Sequence, residues 1–544
     1  MAVRMSGGDA ITESLLLWGV DTIFGIPGVQ TYDLYDSFSR AGDRLNVIGA
    51  RHEQTTAYMA YGYAKSTGKV GVFTVVPGPG LLNTAAALST AYATSAPVIC
   101  VTGQVPSHFI GLGKGHLHEL PNQLSTMRTL CKWAVRIEHP GEAPPLIAEA
   151  FRQATASRPG PVVLEMPWDV FGMKAPVEVV LPCSYPAVLP DPDEIEKAAK
   201  ILKEARNPML MVGSGAVNAS AEILRLAERL QAPVVSLRGG RGVVSDENYL
   251  GFNCAAGYKR WPQTDVLLGI GSRLELQWFR WPEQPAGLKI INIDIAPSQA
   301  ARIKPTLSIV GDAKESVRGL NEILERIVEP HASRKEEFTE TKRQSNAEIQ
   351  KIQPHMQYLK AIRDVLPRDG FFVEEVCQMG FASYYGFPIY EPRKFVTTGC
   401  QGTLGFGYPT ALGVKVGNPD KAVVSIAGDG GFQFGLQELA TAVQYGINVV
   451  VLVFNNSAFG NVRRDQAQLF QGRTLGSNLR NPDFVALAES YGVRGYRATT
   501  PESLKSSLEQ ALALSAPALI EIPTNNDTES SPWEFIMPPA HKQE

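Results

Sequence analysis

Three stretches of this chain repeat one local pattern, and the repetition limits its folding options more than any other feature. "AITESLLLWGVDTIFGIPG", "EIEKAAKILKEARNPMLMVGSG" and "QYLKAIRDVLPRDGFFVEEV" each read as an amphipathic helix, a short polar turn and an apolar strand. Each opens a run of alternating helix and strand signals, as doubly wound parallel sheets do. At 544 residues the chain is too long for a single core. The proline-rich segment "LPCSYPAVLPDPDE", from Leu181, suits a linker. The charged segment "HASRKEEFTETKRQSNAEIQKIQ", from His331, suits a solvated helix or surface crossover. The expected fold is α/β, with three doubly wound parallel-sheet domains at 1–180, 188–330 and 355–525 and a tail at 526–544.

Bulk properties exclude several classes of partner. A net charge of −3 gives no broad attraction to nucleic acid or to an anionic membrane surface. No apolar run approaches spanning length, and "MAVRMSGGDA" lacks a signal-type apolar region. The six cysteines are scattered, with no CxxC pair, which suits a reducing cytoplasm.

Chemistry enters at "AVVSIAGDGGFQFGLQELATAVQYGINVVVLVFNNSAFG". "AVVSIA" and "INVVVLVF" read as buried parallel strands. The segment between them has helical spacing, with Leu436, Leu439, Ala440 and Val443 on one face and Gly446 as a C-cap. The unit is βαβ, so Asp429 and Asn456 fall at the carboxyl ends of its strands, where open α/β sheets bind ligands. Two oxygen donors there suit a hard cation such as Mg2+ or Ca2+. Gly430 and Gly431 would let phosphate oxygens approach the backbone.

Gly-Asp-Gly followed some two dozen residues later by Asn-Asn resembles the cofactor motif of thiamine diphosphate enzymes. The resemblance implies Mg2+ held by the Asp429 and Asn456 side chains and the Ala458 carbonyl, with Gly428, Gly430, Gly431, Asn456 and Gly460 around the diphosphate. Upstream, "VEEVCQMG" is similar to a diphosphate-contacting segment, which assigns Gln378; acetolactate synthases usually have histidine where Met379 stands. "TTGCQGTLGFGYP" resembles the segment whose large apolar side chain bends the cofactor. Here that residue is Leu404, with Gly402 admitting the aminopyrimidine.

In the first domain, "RHEQTTAYMAYGYAKSTGKVGV" looks like the acetolactate synthase and oxalyl-CoA decarboxylase group. There the glutamate at the position of Glu53 contacts the pyrimidine ring and tunes it to deprotonate the thiazolium carbon. Taken alone, Glu53 is a helix N-terminal acid stabilised by the macrodipole. "GKGHLHELPNQ" places His118 and Glu119 where acetolactate synthases carry Phe-Gln and pyruvate decarboxylases carry paired histidines. Gln123 matches an active-site glutamine of benzaldehyde lyase, and Gln30 stands where related decarboxylases often have histidine. His118 and Glu119 are the candidates for proton transfer, against a plain surface loop. Asn461 and Asp465 replace the methionine and tryptophan of acetolactate synthases, which points to a more polar pocket.

The implied function is thiamine diphosphate-dependent decarboxylation or carboligation of a 2-oxo acid, by an enzyme of the lyase or transferase type. Alternatives are a lyase acting on 2-hydroxy ketones or 2-hydroxyacyl-CoA, and a non-catalytic relative that keeps the cofactor fold. The resemblance also implies that Glu53 and Asp429 of different chains share a site, so that a homodimer is the minimum unit and a homotetramer is expected. It admits FAD or ADP in a Rossmann-like central domain, where "VGSGAVNAS" is a weak nucleotide signal and Asp294 could hold a ribose.

Overall fold

In the computed structural model, which describes residues 2–525 and 527–540, the alternating pattern resolves into three six-stranded parallel sheets. In spatial order the first comprises Asn46–Gly49, Thr22–Gly25, Gly71–Val75, Val98–Gln104, Val162–Pro167 and Trp133–Arg136. The second comprises Gly251–Asn253, Val234–Ser236, Pro208–Val212, Val266–Ile270, Lys289–Asp294 and Leu307–Val310. The third comprises Phe395–Val396, Phe371–Val373, Val423–Gly428, Val450–Asn455, Ala518–Pro523 and Arg494–Arg497. Numbered by chain order within each sheet, the first and third both run 2-1-3-4-6-5, while the second runs 3-2-1-4-5-6, the dinucleotide-binding order. A two-stranded antiparallel ribbon, Val3–Ser6 with Lys174–Val177, closes the first domain at both its ends.

The three repeated segments form as their patterns dictate. Helices Gly7–Leu17, Pro192–Glu204 and His355–Val365 each lead into the first strand of their own sheet. The charged seam folds into helix Lys335–Ile349, pinned by Phe338, which is fully buried edge-on against Phe252. Among the described residues no helix is long and apolar enough to cross a membrane.

Two features fix the first domain on the third. Helix Glu53–Thr67 crosses helix Gly407–Gly417 at backbone contact. A β-carbon at Gly413 would lie 1.9 Å from the Met59 carbonyl oxygen, and one at Gly62 would lie 2.2 Å from that of Thr410. Beside this crossing, fully buried Glu438 accepts the backbone N–H groups of Arg51 and His52 and the Thr441 hydroxyl. The helical face here differs from its apolar pattern: Glu438, Leu439, Thr441 and Ala442 face inward, and Val443 is exposed. The carboxylate of Glu438 turns the helix inward because two backbone donors of the first domain need an acceptor there.

A pair of buried acids organises the loop between Thr397 and Gly407. Glu374 and Glu375 follow the strand Phe371–Val373 and are wholly buried. Glu374 accepts the Tyr384 hydroxyl at 2.7 Å and the Thr398 N–H at 3.3 Å. Glu375 accepts the N–H groups of Gly405, at 2.5 Å, and Gly407, at 2.8 Å. Arg238, ion-paired with Glu275 of the central domain, donates to the Gly399 carbonyl of the same loop. Burial pushes the Glu375 carboxyl up to about 7.

A valine at Gly413 is expected to destabilise the chain by about 3 kcal/mol or more, because it overpacks a backbone contact that cannot yield; urea unfolding measures this, and an unchanged midpoint contradicts the close crossing. Glu375→Ala should strand two buried donors, at about 1–3 kcal/mol each, and raise amide exchange across 398–409. The same acid has a pH signature. Its folded pKa lies above its unfolded value, so the fold binds the extra proton between about 4.5 and 7. Its contribution to stability therefore falls as pH rises through that window, and a Glu375→Gln chain should lack this slope in pH-dependent denaturation.

Candidate active site

The third sheet presents its cleft where strands Val423–Gly428 and Val450–Asn455 end side by side, with Gly428 opposite Phe454. The cleft encloses about 280 Å³, and Asp429, Asn456, Ala458, Gln378, Gly402 and Leu404 all line it, together with Gly428, Gly430, Gly431 and Gly460. Asp429 is 2% exposed, and burial pushes its carboxyl above the usual range. Opposing that shift, Asn481 Nδ2 donates to it at 2.6 Å, and the N–H groups of Gly430, Ala458 and Ser457 also reach it.

The two asparagines divide the work. Asn455 belongs to the scaffold: its Nδ2 donates to Glu521, and its Oδ1 accepts from Asn481 at 2.8 Å. Asn456, one residue on, turns into the cleft, where its Nδ2 donates to Glu529 at 3.2 Å. Ser457 then takes a left-handed conformation, φ +55°, and the chain is held by an isolated antiparallel bridge between Ala458 and Asn478.

The glycines have local causes. A β-carbon at Gly430 would lie 2.5 Å from the Phe459 ring, and one at Gly431 would lie 2.7 Å from Glu375 Oε1. Gly402, by contrast, has a left-handed φ of +59°, and a β-carbon there would only touch Val376 at 3.9 Å, so its backbone conformation rather than crowding calls for glycine. Leu404 is half-buried at the cleft wall and stands outside the packed cores. Gln378 Oε1 accepts from Arg464, which also ion-pairs with Asp465. The second arginine, Arg463, pairs with Asp527 at 2.8 Å. Helices Gln378–Gly386 and Gly460–Leu469 both begin at the cleft, so their positively polarised ends face it. The tail packs back on the third domain, where Tyr385 donates to the Pro532 carbonyl and Trp533 Nε1 donates to Asn461 at 2.7 Å, and then reaches the central domain, where Tyr258 donates to the Pro539 carbonyl. Glu529 of the tail forms part of the cleft wall.

Among the described residues, no residue of the first domain lines this cleft. A second polar cluster gathers on the first domain instead. Glu53 opens its helix, accepts from Asn83 Nδ2 at 2.9 Å, and lies beside Gly80. His118 Nδ1 meets Gln30 Oε1 at 2.7 Å, and Gln30 Nε2 donates to the Leu117 carbonyl. Because that amide oxygen can only accept, the neutral His118 ring carries its proton on Nδ1 and presents Nε2 as a base. Burial lowers the His118 pKa, while the Glu53 charge pulls it back up.

Glu119 and Gln123 are committed to structure. Glu119 accepts the N–H groups of Gly113, Gly115 and His116, and these bonds, His116 first, hold its carboxyl low. Gln123 is buried, accepting from Gly78 N at 2.9 Å and donating to the Gly103 carbonyl and to Glu165. Both residues shape the loops that place His118. Asn83, Asn481 and Glu529 carry no motif of their own, Glu375 lies in "VEEVCQMG" without being the residue assigned from it, and the partners of all four lie 26 or more residues away in the chain.

A larger cleft of about 490 Å³ lies at the carboxyl ends of the second sheet. It is lined by Gly213, Gly215, Asp294, Arg273 and Arg158, and closed by Gly399 and Cys400 of the third domain. The glycines of "VGSG" are required by packing, since a β-carbon at Gly213 would sit 2.3 Å from the Gly271 carbonyl oxygen. Burial raises the Asp294 carboxyl against the pull of Arg158, Arg273 and Arg302.

Profiles of three domain families match along the chain. Residues 5–126 match the N-terminal TPP binding domain of thiamine pyrophosphate enzymes, 195–320 their central domain, and 376–522 their C-terminal TPP binding domain. The acetolactate synthase large subunit of Haemophilus influenzae is 34% identical over 536 residues, covering 94% of this chain and 93% of the relative. The probable 2-ketoarginine decarboxylase of Pseudomonas aeruginosa is 33% identical over 532 residues, covering 95% and 94%. The acetolactate synthase of Arthrospira platensis is 33% identical over 581 residues, covering 99% and 97%. Three matched domains in series, on three sheets of the corresponding topology, make this chain a thiamine pyrophosphate enzyme of the acetolactate synthase-like family of 2-oxo acid carboligases and decarboxylases.

Proposed function

We propose that the chain binds thiamine diphosphate with Mg2+ in the Asp429 cleft and acts on the carbonyl of a 2-oxo acid, with two chains completing each site. The observation that carries this reading is the donor set of the cleft: one buried carboxylate, one side-chain amide and one backbone carbonyl at the ends of adjacent parallel strands. These are hard oxygen donors, and Asp429 is the single acid among the three. Among the described residues no group of three or more His, Cys, Asp or Glu side chains is placed to hold a metal alone. Such a set suits Mg2+, which keeps waters and completes its octahedron with substrate or cofactor phosphates.

When bound, thiamine diphosphate supplies a thiazolium carbon that adds to a carbonyl and an electron sink for the bond that breaks. The protein's share is orientation and proton handling. Glu53 holds a carboxylate for the pyrimidine nitrogen, and Leu404 offers the apolar edge that separates the two rings. His118 Nε2 takes or gives a proton, with its tautomer set by Gln30. Gln123 and Glu119 fix the loops on which His118 stands. The central cleft, at the carboxyl ends of a sheet in the dinucleotide-binding strand order, is our candidate site for FAD or ADP.

Two chains are required on this reading because Glu53 and Asp429 lie on separate clusters of one chain. The helix Gly460–Leu469 beside the cleft contributes no residue to the core. It and the following turn expose Val462, Leu469, Phe470 and Leu475, an apolar surface suited to a second copy.

A panel of 2-oxo acids, including pyruvate and 2-ketoarginine, should release CO2 or form carboligation products only with thiamine diphosphate and Mg2+ present. No product from any substrate would sink the proposal. Glu53→Gln is expected to slow hydrogen–deuterium exchange at the thiazolium carbon while cofactor binding persists; unchanged exchange refutes its role. Asp429→Ala should abolish metal-dependent cofactor retention. Mixing the two inactive chains and allowing exchange of subunits should then restore about a quarter of the activity, because half of the dimers are hybrid and each has one intact site. No recovery places both residues in a site within one chain.

A further inference from the structure

Two buried polar atoms in the Asp429 cleft have no partner in the protein. His355, at the start of helix His355–Val365, is 1% exposed, yet its Nδ1 makes no hydrogen bond. The Gln353 carbonyl lies close enough to the ring to favour its protonated form, but not in hydrogen-bond geometry with Nδ1. Thr524 follows the strand Ala518–Pro523, and its hydroxyl is buried and also unpartnered. Both residues line the cleft that holds Asp429 and Asn456. An unmet buried donor is costly, and two from different elements converging on one cleft point to an occupant that meets them.

The chemistry of that occupant follows from the wall. Thr524 is anchored by its N–H to the Asn455 carbonyl at 2.8 Å, which sets it beside the strand end that leads to Asn456. Met379, buried in the same cleft, offers no donor. The guanidinium of Arg464 lies near enough to His355 to disfavour a charge on the ring, and burial brings the imidazole pKa down to about 4. The ring is therefore neutral near pH 7 and can present an N–H from Nδ1 without the cost of a buried cation. An imidazole N–H and a hydroxyl together suit an anionic oxygen. Resting on the thiamine diphosphate reading of this cleft, we propose that His355 and Thr524 bind non-bridging oxygens of the diphosphate, through Nδ1–H and Oγ1–H, as a wall additional to the Asp429–Asn456 metal side.

The probe is inorganic pyrophosphate with Mg2+, titrated calorimetrically into the full chain without thiamine. His355→Leu and Thr524→Val should each weaken binding about tenfold, the equivalent of one lost hydrogen bond to a charged group. Thr524→Ser should bind within about twofold of the wild type, and His355→Asn should recover part of the loss. Thr524→Val is nearly isosteric, so it carries the test if the histidine variant fails to fold. Wild-type affinity in the folded leucine and valine variants overturns the proposal. A raised KM for the 2-oxo acid with unchanged pyrophosphate affinity also overturns it, and assigns the pair to the substrate carboxylate. The Asp429→Ala arm separates the two levels. Loss of binding there, with no loss in the wall variants, removes this proposal alone, whereas a wild type that does not bind pyrophosphate removes the reading of the cleft as well.

Discussion

The backbone contact between helices Glu53–Thr67 and Gly407–Gly417 is the constraint from which the rest follows. Glycine at 62 and 413 removes the side chains that would keep the helices at ordinary separation, where interaxial distances are about 8–10 Å. The first domain is thereby locked onto the third at a fixed angle. Glu438 reinforces the lock by collecting the N–H groups immediately before Glu53. Glu53 is thus rigidly placed, but on a cluster with Asn83, Gly80 and His118. The rigidity of this junction makes closure of Glu53 onto its own Asp429 cleft unfavourable, and that is why the functional reading needs a second copy of the chain.

Buried acids recur as the means of positioning. Glu374, Glu375 and Glu438 are all fully buried, and each accepts backbone N–H groups from a loop that borders a polar cluster. A buried carboxylate is expensive unless it is hydrogen-bonded, so each one fixes its loop strongly: displacing the loop would expose the full desolvation cost. For Glu375 the balance stays unfavourable enough to raise its carboxyl to about 7, even with two donors. The loop carrying Gly402 and Leu404 is therefore held by electrostatics at both ends, while its centre faces the cleft.

Much of the architecture is legible in local pattern. The three helix–turn–strand repeats each begin a sheet, and the Gly-Asp-Gly and Asn-Asn pair leaves two adjacent strands as its spacing requires. Periodicity fails where a polar residue is buried for a tertiary reason. Val443 carries the helical pattern but is exposed, because Glu438 must face the first domain. Residue type does not show which partners a side chain already has. Glu119 and Gln123 have the chemistry of proton-transfer and substrate-binding groups, but three backbone donors consume the first and a buried polar network consumes the second. Gly430 and Gly431 read as room for a ligand, and the packing of Phe459 and Glu375 gives a second reason for glycine at both positions. Asn83 and Asn481 could not be found from sequence, because each acts on a residue far along the chain and belongs to no motif, and Glu375, although inside "VEEVCQMG", acts on backbone 30 residues on.

The first-domain cluster shows how such supporting groups set chemistry. A histidine alone has two tautomers and an adjustable charge. Gln30, wholly buried with φ +71°, spends its Nε2 on the Leu117 carbonyl and so has only an oxygen left for His118. That single commitment puts the imidazole proton on Nδ1 and leaves Nε2 as the acceptor. Burial lowers the His118 pKa and so favours the neutral ring, while the Glu53 charge opposes this. Replacing Gln30 by a residue that donates instead of accepting would invert the tautomer without moving the ring, which separates the role of the proton's position from that of the side chain's place.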